Sequence, residues 1–193
     1  MEQFNSSNYW ENRYAKGGNS GAGSYGKYAD YKSETINEII KDIDAESMIE
    51  FGCGDGNQLS TIKCNQITGI DVSSTVIDKC KELLPQYDFY TTNNIPENLI
   101  SDLVTSLDVI YHLVEDDVYD AYMKQLTAFN SKYILVYGTN FDKNDYSEHV
   151  RARKFTDHSA FDDYELIYNK PNPLLKDHDG QGTFGDWFLF KRK

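Results

Sequence analysis

Apolar and polar positions follow two different periods along this chain, and the periods predict alternating strands and helices. Short apolar runs at 47–52, 66–71, 87–91, 102–108 and 133–139 have the length of buried strands. The segments between several of these runs place apolar residues at helical spacing instead. Strands that alternate with helices predict an α/β fold, in which helices cover both faces of a parallel sheet.

Three segments show the helical period most clearly. Ile36, Ile39, Ile40 and Ile43 share one face of a helix, and Ser33 is its expected N-cap. Two more helices are predicted by the same spacing, one with Ile77, Cys80 and Leu84 and one with Val118, Tyr122, Leu126 and Phe129 on its apolar face.

The last part of the chain departs from this alternation. Apolar runs at 164–168 and 186–193 have no helical pattern between them, which predicts an antiparallel hairpin at one edge of the sheet. In α/β sheets, ligands bind beyond the carboxyl ends of the strands, at the switch in strand order. Candidate chemistry is therefore sought first at the strand ends.

Composition fits one folded domain and limits its partners. The chain has 193 residues, of which 39% are hydrophobic, so we expect one domain over residues 1–193. The formal net charge of −12 disfavours nucleic acid and anionic membranes as partners. No signal-peptide pattern and no long apolar run is present, so no membrane partner is expected. Three cysteines without metal spacing, Cys53, Cys64 and Cys80, predict free thiols in a reducing cytoplasm.

The most informative motif is the stretch EFGCGDG at 50–56, directly after the first predicted strand. Its spacing is GxGxG, whereas dinucleotide-binding turns have GxGxxG. Glu50 precedes the turn and favours a cationic ligand. Asp71, at the end of the second predicted strand, is placed to accept hydrogen bonds from both hydroxyls of a ribose. The alternative is an ordinary tight turn with an incidental aspartate.

Three motifs together, IEFGCGDG, GIDVS and SLDVIYHLVEDD, resemble the class I S-adenosylmethionine-dependent methyltransferases. The resemblance is firmest over 33–140, and the flanks YWENRYAKGGNSGAGSYG and HVRARKFTD are similar to small bacterial and phage-type members. It implies S-adenosylmethionine as the cofactor. It also implies a Rossmann-like, doubly wound, seven-stranded, mostly parallel sheet of order 3-2-1-4-5-7-6, with an antiparallel edge hairpin.

The resemblance also implies which residues hold the cofactor. The methionine part would be lined by Glu50 and the backbone of Gly52, Cys53 and Gly54, with Gly56 allowing close approach near the ribose. The ribose and adenine would be held by Asp71, Val72 and an amide from Asn93 or Asn94, the last in place of the family's usual acid. The wall beside the transferred methyl would be Leu107, Asp108 and Tyr111.

Methyl transfer to an oxygen needs a base, and the fourth strand is followed by two candidates, His112 and Asp108. Histidine suits base work near neutral pH, although His112 also fits a structural role in the loop. A magnesium site at Asp108 with Asn140 or Asp142, or a metal at 176–180, is disfavoured, so no metal is expected. Cys53 lacks an adjacent histidine and is not expected to be a nucleophile.

Residues 1–31 combine aromatic side chains with a glycine-rich segment at 17–26. We interpret them as a lid over the site, because disordered tails are usually poor in aromatic residues; a disordered arm is the alternative. Contacts to the cofactor are expected from Tyr9, Trp10, Arg13 and Tyr14, and contacts to the acceptor from Tyr25 and Tyr28. Arg13 would meet the cofactor carboxylate or an anionic group of the acceptor.

One basic segment, 148–155, stands out in this acidic chain. His149, Arg151 and Arg153 alternate, so in an extended segment they share a face that would grip a phosphate or carboxylate of the acceptor. A surface strand paired with acids is the alternative. Residues 141–193 as a whole are interpreted as an acceptor-side segment followed by the closing hairpin.

These features together predict a methyltransferase for a small, hydroxylated and anionic acceptor such as a sugar or nucleotide sugar. Transfer to oxygen is expected because a candidate base is present and no NPPY-like amino-methylating motif follows the fourth strand. Three alternatives stay open: a nucleic-acid methyltransferase, a non-catalytic cofactor-binding module, and an NAD-dependent oxidoreductase. The oligomeric state is also open.

Overall fold

The computed structural model describes residues 4–174, 183 and 185–193. Its helices are α1 (Ser6–Ala15), α2 (Gly26–Asp42), α3 (Ser74–Leu83) and α4 (Asp116–Ala128). Its main sheet contains β1 (Ser47–Phe51), β2 (Gln66–Asp71), β3 (Asp88–Thr91), β4 (Leu103–Leu107), β5 (Tyr133–Gly138), β8 (Tyr164–Lys170) and β9 (Asp186–Arg192). A separate antiparallel pair is formed by β6 (Lys143–Ser147) and β7 (Val150–Ala152).

The main sheet has the strand order β3-β2-β1-β4-β5-β9-β8. Its first five strands are parallel, and β9 runs antiparallel to both β5 and β8. Counted within this sheet alone, the order is 3-2-1-4-5-7-6, so the predicted fold class and edge hairpin are confirmed. The order reverses between β1 and β4, which brings the carboxyl ends of these neighbouring strands to one edge.

Helices cover both faces of the sheet because its inner strands are apolar on both sides. One core lies between the sheet and helices α2 and α3 and includes Ile36, Ile40 and Ile77. The other lies against α4 and includes Tyr122 and Leu126. The predicted helix faces are thus largely buried, although Ile43, Leu84 and Val118 are only half-buried.

Helix ends follow the sequence at α3 but not at α2. The Ser73 side chain accepts a hydrogen bond from the backbone N–H of Val76 and caps α3. Ser33 is wrong as a cap, because α2 begins at Gly26 and Ser33 lies inside it, where its hydroxyl donates to the carbonyl of Ala29. Helix α2 begins before the predicted position because Ala29 and Lys32 extend its buried face toward the N-terminus.

Helix α1 and the β6–β7 pair were not predicted from the sequence. In α1 only Ser6 and Tyr14 are buried, so no apolar stripe marks it as a helix. Among the described residues, no helix has the length and apolar character needed to cross a bilayer.

Candidate active site

A cavity of about 540 Å³ lies at the carboxyl ends of β1, β2 and β4. Many of the residues singled out from the sequence line it, namely Trp10, Tyr14, Glu50, Gly52, Cys53, Gly54, Asp71, Val72, Leu107, Asp108, Tyr111 and His112. Residues 20–24 also line it, so the glycine-rich segment (17–26) is part of the cavity wall.

The glycine turn (52–56) depends on backbone angles that favour glycine. Gly52 and Gly54 have φ angles of 94° and 54°. A Cβ on Gly52 would lie 2.3 Å from a Val109 methyl, and one on Gly54 would lie 2.2 Å from the Ser20 hydroxyl. The turn is therefore closely packed against the segments that face it across the cavity.

Asp71 fixes the same turn from the end of β2. Its carboxylate accepts hydrogen bonds from the backbone N–H groups of Gly54 at 2.9 Å and Ser73 at 3.0 Å. Burial raises the pKa of Asp71 to about 6, against the lowering effect of those N–H groups. Asp71 thus has a structural task in the turn as well as a place on the cavity wall.

Gly56 and Cys53 occupy different places relative to the cavity. Gly56 does not line it; its missing Cβ makes room for Cys80 and Leu84 near α3, and its place near the ribose stays a prediction. Cys53 does line the cavity, but burial raises the pKa of its thiol well above the usual range. A protonated thiol is a poor nucleophile, which agrees with the expectation for Cys53.

The glycine-rich segment is hydrogen-bonded directly to the glycine turn. Ser20 and Asp55 bond reciprocally: the Ser20 N–H donates to the Asp55 carboxylate at 2.8 Å, and the Asp55 N–H donates to the Ser20 hydroxyl at 2.9 Å. The Tyr25 hydroxyl donates to the same carboxylate at 2.7 Å. The Asn57 amide donates to the Ser24 carbonyl at 2.6 Å. The two glycine clusters of the sequence therefore form one joined structure.

Replacing Asp55 with alanine is expected to release this segment. The segment loses its two hydrogen bonds to the Asp55 carboxylate, donated by Ser20 and Tyr25. Its opening free energy should fall by about 1–3 kcal/mol, a roughly 5- to 150-fold faster exchange of the Ser24 and Tyr25 amide hydrogens. Hydrogen exchange read by NMR measures this, with the amides of β4 as the internal control. Unchanged exchange at Ser24 and Tyr25 would show that Asp55 does not hold the segment.

Helix α1 lies across the cavity and is anchored at several points. Ser6 bonds Glu115 through its N–H, at 2.7 Å, and through its hydroxyl. Glu11 accepts from the Thr75 hydroxyl, and the Lys79 ammonium donates to the carbonyl of Tyr14 at 2.9 Å. These contacts hold the described part of residues 1–31 on the body of the protein.

Only part of the predicted α1 set faces the cavity. Trp10 and Tyr14 line it, whereas Tyr9 stacks on the His149 ring with centroids 5.0 Å apart. The Arg13 guanidinium donates to the Asn19 carbonyl and lies over the Trp10 ring, so it does not line the cavity. Tyr9 and Arg13 thus do not line the cavity, and their contacts to the cofactor stay predictions.

A buried ion pair lies on the cavity wall where β4 ends. The Lys32 ammonium donates to Asp108 at 2.8 Å, and the Tyr111 hydroxyl donates to the other oxygen of that carboxylate at 2.8 Å. Lys32 is 1% exposed. Asp108 has a φ of 58°, so the backbone leaves the extended conformation of β4 at this residue. Lys32 was not predicted to be a site residue. The sequence does hold a signal for it, because its position four residues before Ile36 places a lysine on the apolar face of the helix.

Glu50 projects into the cavity without a complete set of partners. It is 2% exposed, and its Oε2 atom has no hydrogen-bond partner. Burial raises the pKa of Glu50 to about 8, although the nearby positive charge of Lys32 opposes the rise. A buried carboxyl with an unpaired oxygen is costly unless a ligand donates to it.

His112 lies between aromatic rings at the other side of the cavity. Its ring makes an edge contact with Trp10 and a parallel contact with His149, at centroid distances of 5.0 and 5.5 Å. Its Nδ1 lies 2.9 Å from the carbonyl oxygen of His149. A carbonyl only accepts, so Nδ1 carries the proton and Nε2 of the neutral ring has a free lone pair. Burial lowers the pKa of His112 to about 4, so the ring is neutral near pH 7.

The basic segment is bonded to the protein itself. Arg151 and Arg153 each donate to the Asp116 carboxylate, at 2.8 and 2.9 Å, and to the carbonyl of Val114. Arg153 also lies over the Tyr119 ring, with its guanidinium carbon 4.4 Å from the centroid. The alternation does place both guanidinium groups on one side, but that side faces Asp116. Their predicted contact with an acceptor is therefore not seen in this arrangement.

Several other predicted residues lie outside the cavity. Asn93 and Asn94 are exposed, and Thr92 lines the cavity in their place. Tyr28 and the ring of His149 do not line it either, and Tyr25 reaches it only through its bond to Asp55.

Metal ligands do not cluster in the part of the chain that the structure describes, where no three His, Cys, Asp or Glu side chains converge. Asn140 accepts from Thr156, and Asp142 accepts from the Lys154 N–H, so both bond the chain after β7. The run 176–180 lies outside the described residues.

Comparison with known proteins agrees with the observed fold and identifies a methyltransferase domain. Residues 49–126 match a family profile described as a methyltransferase domain. A search of curated sequences gave no significant match. The methyltransferase domain of bacterial CtHen1-C is 20% identical, with a TM-score of 0.63 over 83% of this chain and 96% of that one.

Two other solved structures are similar over nearly the whole chain. NodS, an N-methyltransferase from Bradyrhizobium japonicum WM9 in complex with S-adenosyl-L-homocysteine, is 10% identical, with a TM-score of 0.68 over 98% of this chain and 99% of that one. CalS10, an amino pentose methyltransferase from Micromonospora echinaspora with bound S-adenosylmethionine, is 14% identical, with a TM-score of 0.62 over 100% and 99%.

Proposed function

We propose that this chain, whose residues 49–126 match a methyltransferase-domain profile, is a class I S-adenosylmethionine-dependent methyltransferase that methylates a hydroxyl oxygen of a small acceptor bound beside Trp10 and His112. One observation carries the proposal: the neutral His112 ring has its Nε2 lone pair free in a residue that lines the cavity. An acceptor amine that is already neutral would need no such base, whereas a hydroxyl does.

The residues around the cavity fit the cofactor, part by part. Glu50 offers a buried carboxylate oxygen without a partner to the positively charged ammonium of the methionine part. The backbone of residues 52–54 lies alongside it. Asp71 already accepts from two N–H groups, and each of its oxygens keeps a second lone pair for a ribose hydroxyl. Val72, which is 39% exposed and lines the cavity, packs on the adenine, with Thr92 at its edge.

The remaining cavity residues position the reacting groups. When bound, the cofactor supplies a methyl group made electrophilic by its sulfonium. Leu107 and Tyr111 form the wall beside that methyl, and Asp108 is held by Lys32 and Tyr111 so that it points into the same space. His112 Nε2 takes the hydroxyl proton while the acceptor oxygen forms its bond to the methyl carbon and the carbon–sulfur bond breaks. Holding these groups in line is worth about 7–11 kcal/mol of the barrier.

The structure changes what is proposed about acceptor charge. The anionic acceptor was inferred from Arg151 and Arg153, and both now have Asp116 as a partner. We therefore propose a hydroxylated acceptor, such as a sugar or nucleotide sugar, without requiring a negative group. An extended nucleic acid is disfavoured by the net charge of −12 and by the same pairing.

The proposal is tested in two stages. Calorimetric titration with S-adenosylmethionine, S-adenosylhomocysteine and NAD⁺ is expected to show binding of the first two alone. Formation of S-adenosylhomocysteine is then followed with matched pairs of acceptors, each a hydroxy sugar and its amino analogue, and with short RNA. Turnover of the hydroxy member supports the proposal. Turnover of only the amino member, or of RNA with strongly salt-dependent binding, contradicts it.

A further inference from the structure

Two buried oxygens on the cavity wall have no hydrogen-bond partner. Among the described residues, three buried side-chain polar atoms lack one, and two of these, Glu50 Oε2 and Gln58 Oε1, belong to residues that line the cavity. Glu50 and Gln58 are 2% and 3% exposed. An unsatisfied buried acceptor costs about 1–3 kcal/mol, so two of them at one cavity point to a ligand that donates.

The orientation of the Gln58 amide is fixed by its other contacts. Its nitrogen donates to the carbonyl of Ala29 at 3.2 Å and to the Ser33 hydroxyl at 2.8 Å. A carbonyl oxygen accepts only, so the nitrogen must face α2 and Oε1 must be the atom left without a donor. Glu50 comes just before the glycine turn and Gln58 just after it, so the two acceptors flank the turn in sequence.

We propose that Gln58 is a cofactor-binding residue, whose Oε1 accepts a hydrogen bond from the same ammonium of the cofactor's methionine part that Glu50 binds. This inference rests on the proposed cofactor site. An ammonium carries three N–H donors and no acceptor, so it satisfies both orphaned oxygens at once. The pairing also matches charge, because a neighbouring ammonium favours the ionised form of Glu50 and the Gln58 amide is neutral.

The test compares two ligands that differ in the amino-acid part alone. S-adenosylhomocysteine has that part, and 5′-methylthioadenosine lacks it. In Gln58→Leu, calorimetry is expected to show a roughly 10- to 100-fold loss of affinity for S-adenosylhomocysteine, since a hydrogen bond to a charged group is lost. Affinity for 5′-methylthioadenosine should stay within about twofold of the wild type.

Two variants separate ligand binding from packing. Gln58→Met has nearly the length of glutamine but no amide oxygen, so it should lose affinity for S-adenosylhomocysteine as Gln58→Leu does; it serves as the readout if the leucine variant does not fold. Ser33→Ala removes a partner of the Gln58 nitrogen without changing Oε1, so it should retain most of the affinity.

Two results would overturn the role of Gln58. One is an equal loss of affinity for both ligands in Gln58→Leu, which indicates a packing role. The other is an unchanged affinity for S-adenosylhomocysteine. If the wild-type protein itself does not bind S-adenosylhomocysteine, the cofactor site is wrong, and the role of Gln58 falls with it.

Discussion

Lys32→Met is expected to destabilise the protein by about 3–5 kcal/mol, because it leaves the Asp108 carboxylate in a largely buried site without its counter-ion. Lys32 is 1% exposed, and its ammonium lies 2.8 Å from that carboxylate. Methionine has a similar length and an apolar end, so the change removes the charge with little loss of volume. Urea unfolding followed by circular dichroism gives the free energy of unfolding.

A matched double variant separates the charge effect from packing. Asp108→Asn keeps the left-handed backbone at this position, since asparagine tolerates a φ of 58°. In the double variant Lys32→Met/Asp108→Asn no charge is left unpaired, so its stability should lie well above that of Lys32→Met alone. A loss below about 1 kcal/mol in Lys32→Met would mean that the pair behaves as an exposed one.

His112→Ala is expected to lower kcat by about 10²–10⁴-fold because it removes the proposed general base. The rate is measured with the hydroxy acceptor that is turned over in the test of matched acceptor pairs. Affinity for S-adenosylhomocysteine should change little, because the base acts on the acceptor. Added imidazole should restore part of the lost rate by occupying the space left by the ring. A variant with wild-type kcat would exclude the base role, and a loss that imidazole does not restore would indicate that the ring only supports Trp10 and His149.

The pH dependence follows from the low pKa of His112. Because burial lowers that pKa from 6.5 to about 4, the ring stays neutral and able to accept a proton down to about pH 5. The rate should therefore show no inflection near pH 6.5 due to His112 and should fall as the pH approaches 4. The free energy of unfolding also falls as the pH falls. Between pH 6.5 and 4 the unfolded chain binds a proton at His112 that the folded chain does not, so the contribution of His112 to stability is full above pH 6.5 and is lost on acidification.

The fold, and the grouping of the strand-end residues around one cavity, could be predicted because both depend on local patterns. The strand ends that place Glu50 and Asp71 follow from short apolar runs with an acid at a fixed position, and the turn follows from glycine spacing. The structure keeps these residues on one cavity wall. The pattern can be recognised in the sequence because Glu50, Asp71 and the glycines each lie within a few residues of a strand end.

The partners of the charged side chains near the proposed acceptor position could not be predicted, because they depend on contacts between distant segments. Arg153 looks like an accessible cation in the sequence, yet it bonds Asp116, which is 37 residues away. Lys32 lies on the apolar face of its helix in the sequence, but its partner Asp108 is 76 residues away. Charge and spacing alone do not reveal which partner a side chain will bond.

The bonds between Ser20 and Asp55 also bear on the kinetics of turnover. They join the glycine-rich segment (17–26) to the turn that is proposed to lie along the cofactor, whereas the proposed acceptor position is beside Trp10 and His112 on a different part of the wall. From these two proposed positions we expect that release of the demethylated cofactor requires those bonds to break and that release of the acceptor does not. Product-inhibition kinetics should then show an ordered mechanism, with the cofactor first on and its product last off.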